Sequence, residues 1–223
     1  MVATRAAEQT QLTAEPEIRL EFTKGVNRTE QAWETAFGWK RLREARRTLD
    51  RFRDDLPRGG RVLDLGCGRG YASRVLEEEF ACEVFCCDVV NSAVHPADQY
   101  CIFDGQTIPF RTGSFDAVLV AFVLHHAHSP VDLLREARRV SVGPVLVVED
   151  TPKRWADRMW GRVHTRSFSR RTGIDWSGRV RPDLEWRHVF QRAGLSVRLA
   201  KPLSRWERLP PVSRTAFVLE TTS

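Results

Sequence analysis

The sequence lacks any apolar run approaching the ~18–20 residues that a bilayer-spanning helix requires. Its charged N-terminus also has no apolar stretch of the signal-peptide kind. Both absences lead to the expectation of a cytoplasmic protein that does not contact a membrane. No cysteines stand in a Cys-x-x-Cys spacing; the five present (Cys67, Cys82, Cys86, Cys87 and Cys101) are odd in number and gather on apolar segments. That argues against a disulfide framework and predicts reduced, buried thiols. Lysine is scarce, at four residues (Lys24, Lys40, Lys153 and Lys201) among 35 cationic side chains. Such arginine bias often follows genome composition and is weak evidence about ligands.

What remains is a chain of 223 residues and 42% apolar content, enough for one α/β domain with additions. Its net charge of +6 is uneven: residues 1–60 carry +2, residues 61–150 carry −6, and residues 151–223 carry +10. Residues 1–17 read as a polar tail. Trp33, Phe37, Leu42, Ala45, Leu49 and Phe52 recur at helical spacing and predict a helix over 27–52, stopped by Pro57-Arg58-Gly59-Gly60. The tail and helix, residues 1–58, form an N-terminal cap in this reading; residues 59–223 form the main domain.

From residue 61 short apolar runs alternate with helical ones. Strands are predicted at Val62–Leu65, Glu83–Cys87, Tyr100–Phe103, Ala117–Val123 and Pro144–Val148, and helices at Tyr71–Phe80, Val131–Val140 and Asp183–Ala193. Continuous Val and Leu runs suit parallel strands buried on both faces, so the pattern predicts a doubly wound, Rossmann-like α/β sheet. Two last strands, Ser196–Ala200 and Arg214–Leu219, have no room for a crossover helix and must pair antiparallel or separate. Residues 151–182 break the rhythm with Trp155, Trp160, Phe168 and Trp176 among nine cationic side chains and two acids. They are expected to form an inserted lid.

The chemistry gathers around Arg61-Val62-Leu63-Asp64-Leu65-Gly66-Cys67-Gly68-Arg69-Gly70. The glycines let backbone approach a ligand, and the following helix presents its unpaired N–H groups there. Asp88, twenty residues beyond Gly68, ends the second strand, where a carboxylate can accept ribose hydroxyls. A dinucleotide loop requires Gly-x-Gly-x-x-Gly; here the third position is Tyr71, and Asp64 would repel a pyrophosphate while suiting a cationic amino-acid ligand.

These residues resemble the class I S-adenosylmethionine-dependent methyltransferases, particularly the broad small-molecule type. Val62–Gly70 looks like the family's first motif. Further matches follow in order: Asp88, Asp104-Gly105, Ile108-Pro109-Phe110, Ser114-Phe115-Asp116 and Leu124-His125-His126. The resemblance covers roughly residues 59–150 and implies a seven-stranded sheet, mostly parallel, with an antiparallel last strand. It implies S-adenosyl-L-methionine as methyl donor and S-adenosyl-L-homocysteine as product. Asp64, Gly66, Cys67, Gly68 and Gly70 would hold the methionine end. Asp88 with Val89 would hold the ribose, Asp104-Gly105 the adenine edge, and Ala121 and Phe122 would line the cofactor at the fourth strand's exit.

Methyl transfer from a sulfonium is an in-line displacement with an activated leaving group, so holding the nucleophile in line supplies most of the rate. A base is needed only for a protonated acceptor, and His125 and His126 are the candidates; either could instead brace the loop. A divalent-metal site joining His125, His126 or His128 to Glu149 and Asp150 is disfavoured by Phe122, which stands where such enzymes place an acid. The expected acceptor is a small organic molecule, aromatic or acidic. RNA is the alternative, since the insertion interleaves cations with aromatics, although there is no Asn-Pro-Pro-Tyr-type motif and no Pro-Cys pair. A non-catalytic subunit that only binds the cofactor is the reading from another class; the intact first motif and Asp88 weigh against it.

Overall fold

A computed structural model describes residues 28–90, 92–95, 99–153, 157, 179–203 and 212–222, with side chains in the first helix described from residue 38. The expected tail at 1–17, all but a few residues of the 151–182 lid, and its Trp155, Trp160, Phe168 and Trp176 lie outside the described residues. In chain order the elements are α1 (Arg28–Leu49) followed by a short 3-10 turn (Asp50–Phe52), β1 (Arg61–Leu65), α2 (Tyr71–Phe80), β2 (Glu83–Asp88), β3 (Gln99–Ile102), β4 (Ala117–Ala121), α3 (Pro130–Val140), β5 (Val145–Asp150), α4 (Asp183–Arg192), β6 (Leu195–Leu203) and β7 (Arg214–Thr221).

The seven strands form one sheet in the order β3-β2-β1-β4-β5-β7-β6. Strands β1 to β5 pair in parallel, and β7 inserts antiparallel between β5 and β6. The order reverses between β1 and β4, which makes their carboxyl ends the topological switch point where open α/β sheets bind ligands. Residues of one strand parity (Leu63, Leu65, Val118, Val120, Val145, Val147) pack under α3 and α4. Those of the other (Val62, Val84, Ala117, Leu119, Leu146, Val148) pack under α2 and the end of α1. Apolar side chains are thus needed at every position, which accounts for the unalternated Val and Leu runs.

Local chemistry sets the helix ends. Ser129 caps α3 by accepting the Asp132 N–H, and Pro130 occupies the first turn, where its missing N–H costs nothing. Several boundaries differ from expectation. Strand β4 stops at Ala121 rather than Val123, because Phe122 turns into the left-handed region at φ 61°. Strand β3 begins a residue earlier, at Gln99, and ends at Ile102. Strand β6 continues to Leu203 through Pro202, which an edge strand tolerates because its second side needs no N–H. A bulge at Arg198 shifts the parity of β6, so Val197 packs against one face's core and Leu199 against the other.

Candidate functional site

The loop after β1 is held from several sides. The Gly66 N–H donates to the Cys87 carbonyl at 2.6 Å, and Val94 and His95 both donate to the Arg69 carbonyl at 3.1 Å. A Cβ on Gly70 (φ 81°) would lie 1.9 Å from the His95 carbonyl oxygen, and one on Gly66 would lie 2.3 Å from Val123. Gly68 (φ 56°) is different: a Cβ there would meet nothing within 4 Å. Two glycines therefore permit packing, while the middle one leaves an open cradle.

Two acids lie beside this loop. Asp64 is 2% exposed inside β1 and accepts the Ser73 hydroxyl at 2.6 Å. Burial raises its pKa to about 6; the Ser73 hydroxyl lowers it in part, and the negative charge of Asp88 adds to the rise. Asp88 ends β2 and gathers backbone donors: Gly68 N–H on Oδ2 at 2.7 Å, Val89 N–H on Oδ1 at 2.7 Å and Val90 N–H at 3.3 Å. Burial raises its pKa, and these three donors act against the rise. The third expected acid, Asp104, is exposed and accepts the Gln106 and Thr107 N–H groups at 2.8 Å, which lowers its pKa. It turns the chain so that Gly105 lies against Val89. Asp64, the 66–70 loop, Asp88, Val89 and Asp104-Gly105 thus line the carboxyl edge from β1 to β3, and Ala121-Phe122 adjoin them because Val123 touches Gly66.

The cysteines are all free and buried. The Cys86 thiol, with burial, pushes the Cys67 pKa up, and Cys101 with burial does the same to Cys87. Such thiols are poor nucleophiles, so Cys67 serves the loop through its backbone and packing.

Beyond β4 the chain turns at 124–126. Glu149, fully buried near the end of β5, accepts the Leu124 N–H on Oε1 at 2.7 Å and lies 2.6 Å from His125 Nδ1 through Oε2. His125 is 1% exposed and His126 9%, with ring centroids 4.0 Å apart. Asp150 turns instead to Arg214, whose Nε donates at 3.0 Å, and His128 is exposed. Among the described residues no group of three His, Cys, Asp or Glu side chains could hold a metal ion.

Ser73, Val123 and Arg214 take part in this arrangement without having been expected, and Glu149, weighed from the sequence only as a metal ligand, acts as a brace. Only Ser73 left a local signal, as a hydroxyl in the first turn of the helix that follows the glycines.

A seven-stranded sheet with one antiparallel strand, carrying a glycine loop and acids at the ends of β1 and β2, is the architecture of the class I S-adenosylmethionine-dependent methyltransferases. A family model described as a methyltransferase domain matches residues 37–200, and the chain belongs to that family. A demethylmenaquinone methyltransferase of Beutenbergia cavernae is 34% identical over 106 residues, covering 44% of each protein. The human mitochondrial arginine-hydroxylase NDUFAF5 is 28% identical over 117 residues, 47% of this chain and 34% of that protein. The matches therefore span less than half the length of these two relatives. The Burkholderia thailandensis 1,6-didemethyltoxoflavin-N1-methyltransferase, solved with bound 1,6-didemethyltoxoflavin and S-adenosylhomocysteine, superposes with a TM-score of 0.62 at 15% identity, covering 87% of both chains. Among the described residues no helix is long and apolar enough to cross a membrane.

Proposed function

We propose that this enzyme methylates O, N or C of a small organic acceptor. The observation that carries the proposal is the joint presentation of a buried Asp64 and the Gly68–Asp88 contact around an open cradle at the switch point. In this reading S-adenosylmethionine supplies a methyl group already activated on a sulfonium. Asp64 and the Gly66–Gly70 loop, Cys67 included, take the methionine end, with the Asp64 carboxylate facing its ammonium. Asp88, seated beside Val89, accepts the ribose hydroxyls with lone pairs that remain after its N–H contacts. Asp104-Gly105 borders the adenine, and Ala121-Phe122 flank the reacting end.

The residues after β4 then belong to the acceptor. His126, the more accessible of the two histidines, is the base where the acceptor arrives protonated; His125, locked on Glu149, positions it. Small quinol-like acceptors suit the similarity to the demethylmenaquinone enzyme. The test is transfer of labelled methyl to a panel of phenols, quinols, amines and RNA after calorimetry has established S-adenosylhomocysteine binding. Labelling of small molecules with only weak, salt-labile RNA affinity is expected. Tight RNA binding that discriminates sequence or structure would overturn the small-molecule reading.

A further inference from the structure

Arg214 opens β7 directly opposite Asp150, the last residue of β5. It therefore stands at the carboxyl ends of β4 and β5, on the acceptor side, away from the β1–β3 edge where the donor residues gather. It is 5% exposed. Its Nε meets Asp150 at 3.0 Å, and its guanidinium lies 5.8 Å from the centre of the Phe122 ring. A guanidinium keeps its charge at any pH compatible with folding, and a buried ion pair adds little stability that packed apolar side chains could not supply. A charge retained at this place points to a ligand.

Two independent features agree. Phe122 is one of two non-glycine residues with positive φ among those described. Such backbone strain concentrates where a side chain must be presented to a ligand, and here it holds an aromatic face beneath the guanidinium. A second cation stands nearby: Arg181 lies over the Trp186 ring at 5.0 Å, and Trp186 Nε1 donates to the Asp150 carbonyl at 3.2 Å. The end of β5 is thus flanked by two guanidinium groups, while its other acid, Glu149, is engaged by His125.

We infer that Arg214 anchors an anionic acceptor, and that the acceptor is a planar aromatic acid whose carboxylate meets this guanidinium while its ring lies along Phe122. The inference rests on the small-molecule reading above and narrows its substrate class. A cation this deeply buried suits a compact carboxylate, which the planar fork of arginine matches; it is poorly placed to follow an extended polyphosphate chain, whose contacts need surface cations.

The test compares 1-hydroxy-2-naphthoate with 1-naphthol, which differ by the carboxylate alone, by calorimetry on the full chain saturated with S-adenosylhomocysteine. The acid should bind at least about tenfold more tightly. Arg214→Met should abolish that preference without changing S-adenosylhomocysteine affinity, and Arg214→Lys should restore only part of it. Because Arg214→Met leaves Asp150 without its cation, the double variant Asp150→Asn/Arg214→Met supplies a neutral background that must also show no preference. Equal affinities in the unmodified protein, a preference that survives in both variants, or binding of neither naphthol would overturn the inference. Failure of S-adenosylhomocysteine itself to bind would instead strike at the methyltransferase reading beneath it.

Discussion

The Ser73 hydroxyl donates to the Asp64 carboxylate at 2.6 Å across the junction of β1 and α2, in a place where Asp64 is 2% exposed. Hydrogen bonds from the Ser73 hydroxyl and backbone N–H only partly compensate the burial of a charge, and the carboxyl pKa rises to about 6. A cationic ligand group would supply the compensation that the protein alone withholds.

The sign of the consequence is definite. Asp64 binds its proton more tightly folded than unfolded, so its stabilising contribution is complete below about pH 4 and is lost as pH rises through about 6. Asp64→Asn should remove this loss and raise ligand-free stability at pH ~7.5 by on the order of 1–3 kcal/mol. The same change should weaken S-adenosylhomocysteine binding at least about tenfold. Thermal unfolding against pH, paired with calorimetry, checks both. A variant less stable at neutral pH would show that the carboxylate is already compensated within the fold.

Asp88→Ala removes the acceptor for the Gly68, Val89 and Val90 N–H groups. Cofactor affinity should fall by at least about tenfold, with a loss of about 1–3 kcal/mol in stability from donors left unsatisfied. Unchanged affinity would mean that the ribose is held elsewhere.

Alanine at two of the loop glycines separates packing from binding. Gly70→Ala drives a Cβ to 1.9 Å from backbone at His95, a contact that no side-chain rotation relieves. It should be the more destabilising by thermal melt. Gly68→Ala meets nothing within 4 Å and bears only the left-handed conformational cost of about 1–2 kcal/mol. Its principal effect should be on S-adenosylhomocysteine affinity; a variant that binds normally would remove Gly68 from the ligand-facing wall.

His125→Ala should destabilise by about 3–5 kcal/mol, because it deprives a fully buried Glu149 of its ring partner. His126→Ala should lower turnover more than cofactor affinity, read as a fall in kcat with calorimetric binding retained. Turnover unchanged in His126→Ala would reduce that residue to packing.

Much of the sheet was legible in the chain because its cues are local. Tyr71–Phe80 and Val131–Val140 carry apolar faces at helical spacing, and β1, β4 and β5 are unbroken apolar runs; the helices match to within a residue. The end of β4 was not legible. Ala117–Val123 reads as continuous strand, and the positive φ at Phe122 stops it, a conformation set at the tertiary junction with β5, where the Phe122 N–H donates to the Val148 carbonyl.

The sequence by itself determined the βα alternation, the close-approach loop of Gly66, Gly68 and Gly70, and the acid ending β2, since spacing along the chain encodes each. Only the tertiary structure decided what those acids and histidines touch. Sheet register brings Glu149 to His125 and sets Arg214 opposite Asp150, 64 residues earlier in the chain. Burial turns Asp64 from one more strand residue into a carboxyl whose pKa lies near 6. Long-range pairing and desolvation act between residues distant in sequence, and no local pattern records them.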